Sequence, residues 1–167
     1  MPVTEAELSA LAAQVVGAFQ AAGKTLVVAE SCTGGLIAGA LTGVAGASAV
    51  LERGWVTYSN RAKEEELGVD PAILAQHGAV SAETAAAMAA GALDHAPAGV
   101  AVALSVTGIA GPGGGSRDKP VGLVWFGVKR QGAGAPGVER HVFSGERAEI
   151  RRAAVLCGLK LLLDAVR

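Results

Sequence analysis

The apolar and polar positions at the start of the chain alternate between a helical and a strand-like pattern. Thr4 and Glu7 form a capping-box pair ahead of apolar residues at helical spacing, and Gly23 follows them, which predicts a helix over 5–22. The next run, TLVVAE (25–30), is short, apolar and β-branched, which predicts a buried strand. A helix followed by a strand is the beginning of an α/β pattern.

The rest of the chain continues this alternation. Capping side chains, turn residues and β-branched runs set the predicted boundaries. The predicted helices are 34–43, 60–68, a segment with Pro71 in its first turn, one from the cap Ser81 to about His95, and about 146–166 capped by Ser144; the predicted strands are 54–59, 99–106, 121–130 and 138–143. The last two strands are expected to pair antiparallel. This order predicts a three-layer α/β/α fold with a mixed sheet, as a single domain over 1–167 with its core at about 5–165.

Composition narrows the possible partners. Only 17% of the 167 residues are charged, the net charge is −1, and the basic residues are scattered. A nucleic-acid partner is therefore not expected. The stretch 32–51 is uncharged and long enough to span a membrane, but its many Gly, Ala, Ser and Thr residues suit close packing in an α/β protein better. Cys32 and Cys157 lie far apart, and no signal peptide is visible, so free thiols and a cytoplasmic location are expected.

Candidate chemistry begins in the stretch VVAESCTGGLIAG (27–39). Ser31 stands where a buried strand gives way to a helix, which is where α/β proteins usually bind ligands. Backbone N–H groups there could hold an oxyanion or a phosphate, and Gly34 and Gly35 would allow close approach. The alternative is that Ser31 or Thr33 only caps the helix. Ala29 replaces the first glycine of the hydrolase elbow, so a serine nucleophile needs a base from elsewhere.

A lysine is the strongest candidate for that base. The three histidines show no Ser–His or metal-binding spacing, so no metal site is expected. Lys63 lies on the helix after Tyr58. It would share a sheet edge with Ser31 if the strands predicted at 25–30 and 54–59 are parallel neighbours. For this role the pKa of Lys63 must fall from about 10.4 to about 7–8. Burial and neighbouring charge must supply the roughly 3.5–4 kcal/mol that this shift requires. The alternative is a solvated surface helix, and the adjacent glutamates 64–66 favour that interpretation.

Two further features suggest an anionic ligand. The loop TGIAGPGGGSRDKP (107–120) is long and glycine-rich, and its uncovered N–H groups could bind an anion. Arg147 and Arg151 lie one turn apart at the start of the last helix and could bind a phosphate. The alternative for the loop is a flexible connection between two strands, and the alternative for the two arginines is ion pairing in solvent. The residues alone predict an α/β domain with a small anionic ligand.

Several motifs together resemble the CinA C-terminal domain family, over about residues 5–165. They are AESCTGG, GWVTYSNRAK, LGV, HGAVS, SVTGIAGPGGG, KPVGLVWFGV and GERAEIRRAA. The resemblance implies a stand-alone amidase domain that hydrolyses nicotinamide mononucleotide to nicotinate mononucleotide and ammonia, a step of pyridine-nucleotide recycling. It also implies a homo-oligomer and no metal or other cofactor. The rival expectations are a non-catalytic nucleotide-binding module and an amidase for another pyridine or nucleotide amide.

Matched by motif, the resemblance makes Ser31 the nucleophile and Lys63 its base, with Tyr58 relaying a proton or orienting the lysine. Ser48 is retained from the family pattern as a second hydroxyl for the site. The residues expected to bind substrate are Cys32, Thr33, Gly34, Gly35, Ser48, Thr107, Gly108, Gly111, Gly113, Arg147 and Arg151. Among these, backbone N–H groups from Cys32 to Gly35 are expected to hold the oxyanion, and the 107–115 loop with Arg147 or Arg151 to contact ribose and phosphate.

Overall fold

The computed structural model describes all residues from 1 to 167. Its strands are β1 (Leu26–Glu30), β2 (Leu51–Val56), β3 (Val102–Gly108), β4 (Leu123–Arg130) and β5 (Gly137–Val142). Its α-helices are α1 (Glu5–Ala22), α2 (Leu36–Thr42), α3 (Asn60–Leu67), α4 (Pro71–His77), α5 (Ala82–His95) and α6 (Arg147–Val166), and a short 3₁₀ helix covers Ala47–Ala49.

The five strands form one mixed sheet in the order β2-β1-β3-β4-β5. β1 pairs in parallel with both β2 and β3, whereas β4 pairs antiparallel with β3 and β5. In this register Glu30, the last residue of β1, lies between Val56 and Val106. The carboxyl ends of three parallel strands therefore lie side by side.

Helices cover both faces of the sheet, which confirms the predicted three-layer α/β/α fold. α1, α2 and α6 pack on one face, over a core that includes Phe19, Leu104 and Leu159. α3, α4 and α5 lie on the other face, over a smaller core around Leu67 and Met88. β1 is buried along its whole length because it lies inside the sheet and under both helical layers.

Local sequence signals account for most of the helix ends. Thr4 and Glu7 form the predicted capping box of α1, and Gly23 ends that helix with a left-handed φ of 63°. At α3, the Ser59 hydroxyl accepts a hydrogen bond from the N–H of Ala62 at 3.0 Å, and Gly68 ends the helix with φ 66°. α3 is therefore held at both ends, which fixes the position of the side chains it carries.

The structure corrects three predicted boundaries. The strand expected at 54–59 is β2 at Leu51–Val56, three residues earlier, because the backbone leaves the sheet before the aromatic residue at position 58. α6 is capped by a Glu146–Glu149 capping box and not by Ser144. Thr107 and Gly108, expected in the glycine-rich loop, are the last two residues of β3. No helix combines the length and the apolar character that crossing a membrane requires.

Candidate active site

Ser31 lies at the carboxyl end of β1, in the position where open α/β sheets bind ligands. Its N–H donates to the carbonyl of Val106 in β3 at 2.9 Å, so the sheet ladder holds its backbone. On the other side, the N–H of Thr57 donates to the carbonyl of Glu30 at 2.9 Å. The carboxyl ends of β1, β2 and β3 thus meet at one point.

The structure brings the Ser31 hydroxyl and the Lys63 amine into direct contact. Lys63 Nζ lies 3.1 Å from Ser31 Oγ, and it donates to the carbonyls of Thr57 at 2.8 Å and Tyr58 at 3.3 Å. Lys63 is only 1% exposed, although α3 is otherwise a polar helix. The residue points from α3 into the end of the sheet.

The surroundings of Lys63 favour its neutral form. Burial lowers the pKa of the Lys63 amine from 10.5 to about 8, because the charged form loses its hydration. No carboxylate forms an ion pair with it. Of the adjacent glutamates, Glu65 and Glu66 are exposed and Glu64 is half-buried, and Glu65 pairs with Arg61. About a tenth of Lys63 is therefore unprotonated at pH 7, and about half near pH 8.

Cys32 and Thr33, the neighbours of Ser31, are unsuited to nucleophilic attack. Burial raises the pKa of the Cys32 thiol to about 11, so it stays protonated at neutral pH. The Thr33 hydroxyl is buried and donates to the Glu30 carboxylate. Ser31 is the one of the three whose side chain contacts a base.

The Glu30 carboxylate organises the turn that follows Ser31. It is fully buried and accepts hydrogen bonds from the backbone N–H groups of Gly35, Ile37 and Ala38 at 3.2, 3.1 and 2.9 Å, besides the Thr33 hydroxyl. It thereby satisfies N–H groups at the start of α2, as a capping side chain does. The turn is fixed, and the amino end of α2 is already occupied by an anion of the protein itself.

Two of the four N–H groups expected to hold an oxyanion are engaged within the protein. Gly34 donates to the carbonyl of Ser31 at 3.0 Å, and Gly35 donates to Glu30. The N–H groups of Cys32 and Thr33 donate to no other residue. Arg151 lies on the outer side of the same turn, where its Nε donates to the Cys32 carbonyl at 3.0 Å and its Nη2 to the Thr33 carbonyl at 3.2 Å.

A pocket of about 190 Å³ opens above Ser31 and Lys63. Its lining residues are Ser31, Cys32, Tyr58, Lys63, Ala79, Val80, Thr107, Gly108, Ala110 and Arg147. The wall formed by Ala79 and Val80 is held by a hydrogen bond from β3, in which the Thr107 hydroxyl donates to the Ala79 carbonyl at 2.7 Å. Thr107 therefore supports the pocket wall as well as lining the pocket.

Arg147 and Tyr58 meet at the rim of this pocket. Arg147 Nη2 lies 3.1 Å from the Tyr58 hydroxyl, and Nη1 donates to the Gly111 carbonyl at 2.7 Å. The guanidinium has no ion-pair partner. Tyr58 is 61% exposed, and its backbone carbonyl accepts a hydrogen bond from Lys63. The contact between Lys63 and Ser31 is direct and does not pass through the tyrosine hydroxyl.

Several predicted site residues lie outside the pocket. Ser48 is exposed in the 3₁₀ helix before β2, at the amino end of the sheet and therefore opposite Ser31. Gly113 is exposed in the glycine-rich loop, and Gly111 reaches the rim only through its carbonyl. Arg151 lines a separate groove of about 390 Å³ between α1, α2 and α6. The placement of Ser48 corrects the expectation of a second hydroxyl beside Ser31 within one chain.

Sequence reasoning missed two parts of the site. Glu30 carries a signal that could have identified it, because an acidic residue at the end of a buried apolar run, just before a helix, is suited to cap that helix. Ala79 and Val80 are small apolar residues with no chemical signature, so only the fold could place them. No group of three or more His, Cys, Asp or Glu side chains is arranged to hold a metal ion.

The fold and this site define an α/β protein with a buried serine–lysine pair at the carboxyl end of a mixed sheet. Residues 8–166 match the model of the CinA C-terminal domain, and the chain belongs to this family. The chain is 50% identical over 161 residues to the nicotinamide-nucleotide amidohydrolase PncC of Escherichia coli K12, a match that covers 96% of this chain and 95% of that protein. It is 49% identical over 164 residues to the protein of the same name from Enterobacter agglomerans, with 96% of each covered.

Solved structures agree with this assignment. The competence/damage inducible protein CihA from Agrobacterium tumefaciens superposes with a TM-score of 0.90 at 45% identity, covering all of both chains. The competence damage-inducible protein A (ComA) from Klebsiella pneumoniae superposes with a TM-score of 0.88 at 38% identity, covering 94% of this chain and 95% of that one.

Proposed function

We propose that this protein hydrolyses nicotinamide mononucleotide to nicotinate mononucleotide and ammonia, with Ser31 as nucleophile and Lys63 as general base. The names of the relatives that match along almost the whole chain support the substrate. The contact between Lys63 Nζ and Ser31 Oγ carries the chemistry. The reaction is a recycling step in pyridine-nucleotide metabolism.

The hydrogen bonds of Lys63 support the direction of proton transfer. A neutral amine has two N–H donors and one lone pair, and the carbonyls of Thr57 and Tyr58 can only accept. With both donors used there, the lone pair is left for the Ser31 hydroxyl. Ser31 is then the donor in this contact, as a nucleophile must be before a base removes its proton.

The reaction follows in two halves. Ser31 Oγ forms a bond to the carboxamide carbon as its proton moves to Lys63. The carbonyl electrons move to oxygen, which the free N–H group of Cys32 at the pocket wall holds. The C–N bond then breaks as protonated Lys63 gives its proton to the departing nitrogen, which leaves as ammonia. A water molecule attacks the resulting ester and returns a proton to Lys63. Release of the acid and reprotonation of Ser31 restore the site.

The size and charge of the pocket fit one end of this substrate. At about 190 Å³ the pocket is smaller than the roughly 300–1,000 Å³ of most ligand sites, so it suits the pyridine carboxamide and not the whole nucleotide. The ribose and phosphate are then placed at the rim, where the unpaired guanidinium of Arg147 is available to an anion.

Ammonia release from nicotinamide mononucleotide tests the proposal. We expect steady release by the wild-type protein and a loss of at least about a thousandfold with Ser31→Ala, while the melting temperature changes little. Ser9→Ala, at an exposed position on α1, is the matched control and should retain full activity. Substantial turnover by Ser31→Ala would exclude serine attack. Binding of the nucleotide without turnover by the wild type would favour a non-catalytic binding module.

A further inference from the structure

Thr107 places a hydroxyl group in the pocket at the carboxyl end of β3. Side chains alternate along this strand, so Ser105 and Thr107 point toward the face covered by α4 and α5, while Val106 lies in the core on the other face. Lys63 reaches into the same pocket from α3. Thr107 and Lys63 are each 1% exposed and Ser31 is 7% exposed, and all three line the pocket. The Thr107 side chain is therefore as buried as the reacting pair and shares the pocket with it.

The hydrogen bond that Thr107 makes within the protein leaves its oxygen able only to accept. A hydroxyl group has one proton and two lone pairs. The proton is directed at the Ala79 carbonyl at 2.7 Å, since a carbonyl oxygen has no proton to give. The Thr107 oxygen makes no other hydrogen bond within the protein. Its lone pairs are thus left for a ligand in the pocket.

The carbonyl that takes the Thr107 proton lies in a segment that is itself held. The neighbouring carbonyl of Gly78 accepts from the Thr84 hydroxyl at 2.7 Å and from the Ser81 hydroxyl at 3.1 Å. These bonds tie the segment to the first turn of α5, so the Ala79 carbonyl keeps facing Thr107. The direction of the Thr107 proton is therefore set by the fold before any ligand binds.

A primary carboxamide is the group that matches an oxygen able only to accept. It carries two N–H donors, whereas an ester or a carboxylate in the same place carries none. The carboxylate of the acid product would also bring oxygen lone pairs against those of Thr107, which favours its release. A fixed acceptor therefore discriminates between these three groups by their hydrogen bonding, because they differ little in size.

We propose that Thr107 is a specificity-determining residue whose oxygen accepts a hydrogen bond from the carboxamide nitrogen of the substrate. This inference rests on the proposed acyl transfer to Ser31. It gives Thr107 a partner at the reacting end of the substrate, in place of the ribose or phosphate expected from the sequence.

The same bond orients the nitrogen for its departure. In the tetrahedral intermediate the nitrogen has two hydrogens and a lone pair, and with one N–H directed at Thr107 the lone pair is turned toward Lys63. Protonated Lys63 gives its proton to this lone pair. The electrons of the C–N bond then stay with nitrogen, which leaves as ammonia, and the oxyanion re-forms the carbonyl of the ester on Ser31.

Kinetics with an amide and an ester of the same nucleotide test this role. Thr107→Val keeps the shape of the side chain and removes the acceptor, so kcat/KM for nicotinamide mononucleotide should fall about tenfold to a hundredfold, the effect of leaving a buried donor unpaired. Hydrolysis of the methyl ester of nicotinate mononucleotide should change by less than about threefold, because the ester has no N–H to pair. Thr107→Ser retains the hydroxyl and should keep most of the amide activity. An equal loss on the amide and the ester would overturn the inference and leave amide hydrolysis standing.

Thr84→Val is the matched control for movement of the pocket wall. It removes the bond from the Thr84 hydroxyl to the Gly78 carbonyl, beside Ala79, and Thr84 is buried like Thr107 but does not line the pocket. A loosened wall should affect the amide and the ester alike. A fall in the ratio of amide to ester kcat/KM that is confined to Thr107→Val supports the proposed contact, and the same fall with Thr84→Val would contradict it.

Binding to Ser31→Ala keeps the test independent of turnover. In an NMR titration this variant should bind nicotinamide about fivefold to tenfold more tightly than methyl nicotinate, and adding Thr107→Val should remove the difference. This result would support the inference even if the wild type did not hydrolyse nicotinamide mononucleotide. Equal affinity for the two compounds in Ser31→Ala, or binding of neither, would overturn it, whereas ammonia release by the wild type decides the proposed function separately.

Discussion

The side chains of Ser31, Cys32 and Thr33 are adjacent in the chain, and their surroundings give them different roles. The thiol is buried and protonated, the threonine hydroxyl donates to Glu30, and the serine hydroxyl contacts Lys63. A thiol is intrinsically the better nucleophile, yet here its pKa of about 11 keeps it inactive. In the proposed reaction, the contact with Lys63 is therefore what distinguishes Ser31 from its two neighbours.

Lys63 should make stability depend on pH in a defined window. Its pKa is about 8 in the folded protein and near 10.5 in the unfolded chain. Below pH 8 both states hold the proton, and the burial penalty is fully present. Between pH 8 and 10.5 the unfolded chain binds more protons, so the free energy of unfolding should rise with pH, by up to roughly 3 kcal/mol.

Urea unfolding between pH 7 and 10.5 measures this effect, with Lys63→Met as the comparison. The variant keeps a side chain of similar length without a titrating group. Subtracting its free energy of unfolding from that of the wild type at each pH therefore isolates the contribution of Lys63, and this difference should rise with pH. A flat difference across the window would show that burial does not perturb the amine.

Arg147 should affect substrate affinity and not the chemical step. Losing charge-assisted hydrogen bonds to a phosphate costs about 1.5–3 kcal/mol, so Arg147→Ala should raise KM for nicotinamide mononucleotide by roughly tenfold to a hundredfold. Nicotinamide riboside lacks the phosphate and should be hydrolysed equally by wild type and variant. Arg61→Ala removes an exposed arginine paired with Glu65 and is the control. Equal KM values for Arg147→Ala and wild type would remove Arg147 from the binding site.

At the scale of elements, the position of α3 depends on its contact with α5. A Cβ added to Gly91 in α5 would lie 1.9 Å from the carbonyl oxygen of Leu67, at the end of α3. Only a glycine permits this approach of the two helices, and α3 carries Lys63. The packing of two elements thereby sets the distance between a side chain on one of them and Ser31 on the sheet.

Gly91→Ala should therefore destabilise the protein, by about 1–3 kcal/mol, and lower kcat, because α3 must move. The matched control is Gly17→Ala in α1, where an added Cβ meets nothing within 4 Å. There the better helix propensity of alanine should stabilise by roughly 0.5–1 kcal/mol. Thermal and urea unfolding of the two variants give the comparison, and stabilisation by Gly91→Ala would contradict the packing argument.

Elements with strong local signals were predictable from the sequence, and those held by distant contacts were less so. α1 and α3 have caps at both ends, and both were predicted closely. β2 is an exposed edge strand without alternation, so the aromatic residues Trp55 and Tyr58 drew the prediction three residues too far along. Family pattern placed Ser48 near the site, but the parallel register of β1 and β2 puts it at the other end of the sheet.

At the scale of the whole molecule, topology assembles the site from segments distant in sequence. The parallel strands β1, β2 and β3 end together, so Ser31, Thr57 and Thr107 become neighbours. The sequence motifs predicted that Ser31 and Lys63 belong to one site. They could not predict the carbonyls that hold the amine or the burial that lowers its pKa, because both depend on the completed fold.

The edges of the sheet bear on the predicted homo-oligomer. Val56 on β2 and Val138 and Val142 on β5 are 55%, 40% and 51% exposed, and both strands are edge strands. Exposed apolar side chains on open edges favour association. Sedimentation equilibrium should give a mass of at least twice the chain mass of 16.5 kDa. A mass of 16.5 kDa at micromolar concentration would contradict this prediction.

Serine attack as proposed depends on the uncharged form of Lys63 beside Ser31, which a pKa near 8 makes a minority at pH 7 and the majority above pH 8. An NMR titration of isotope-labelled lysine side chains measures this directly, with the Lys63 signal identified by its absence from Lys63→Met. We expect a midpoint near pH 8, and a kcat/KM for nicotinamide mononucleotide that rises over the same range. A Lys63 signal that titrates at the ordinary value of 10.5 would contradict the account, because the amine would then be charged and unable to accept the serine proton.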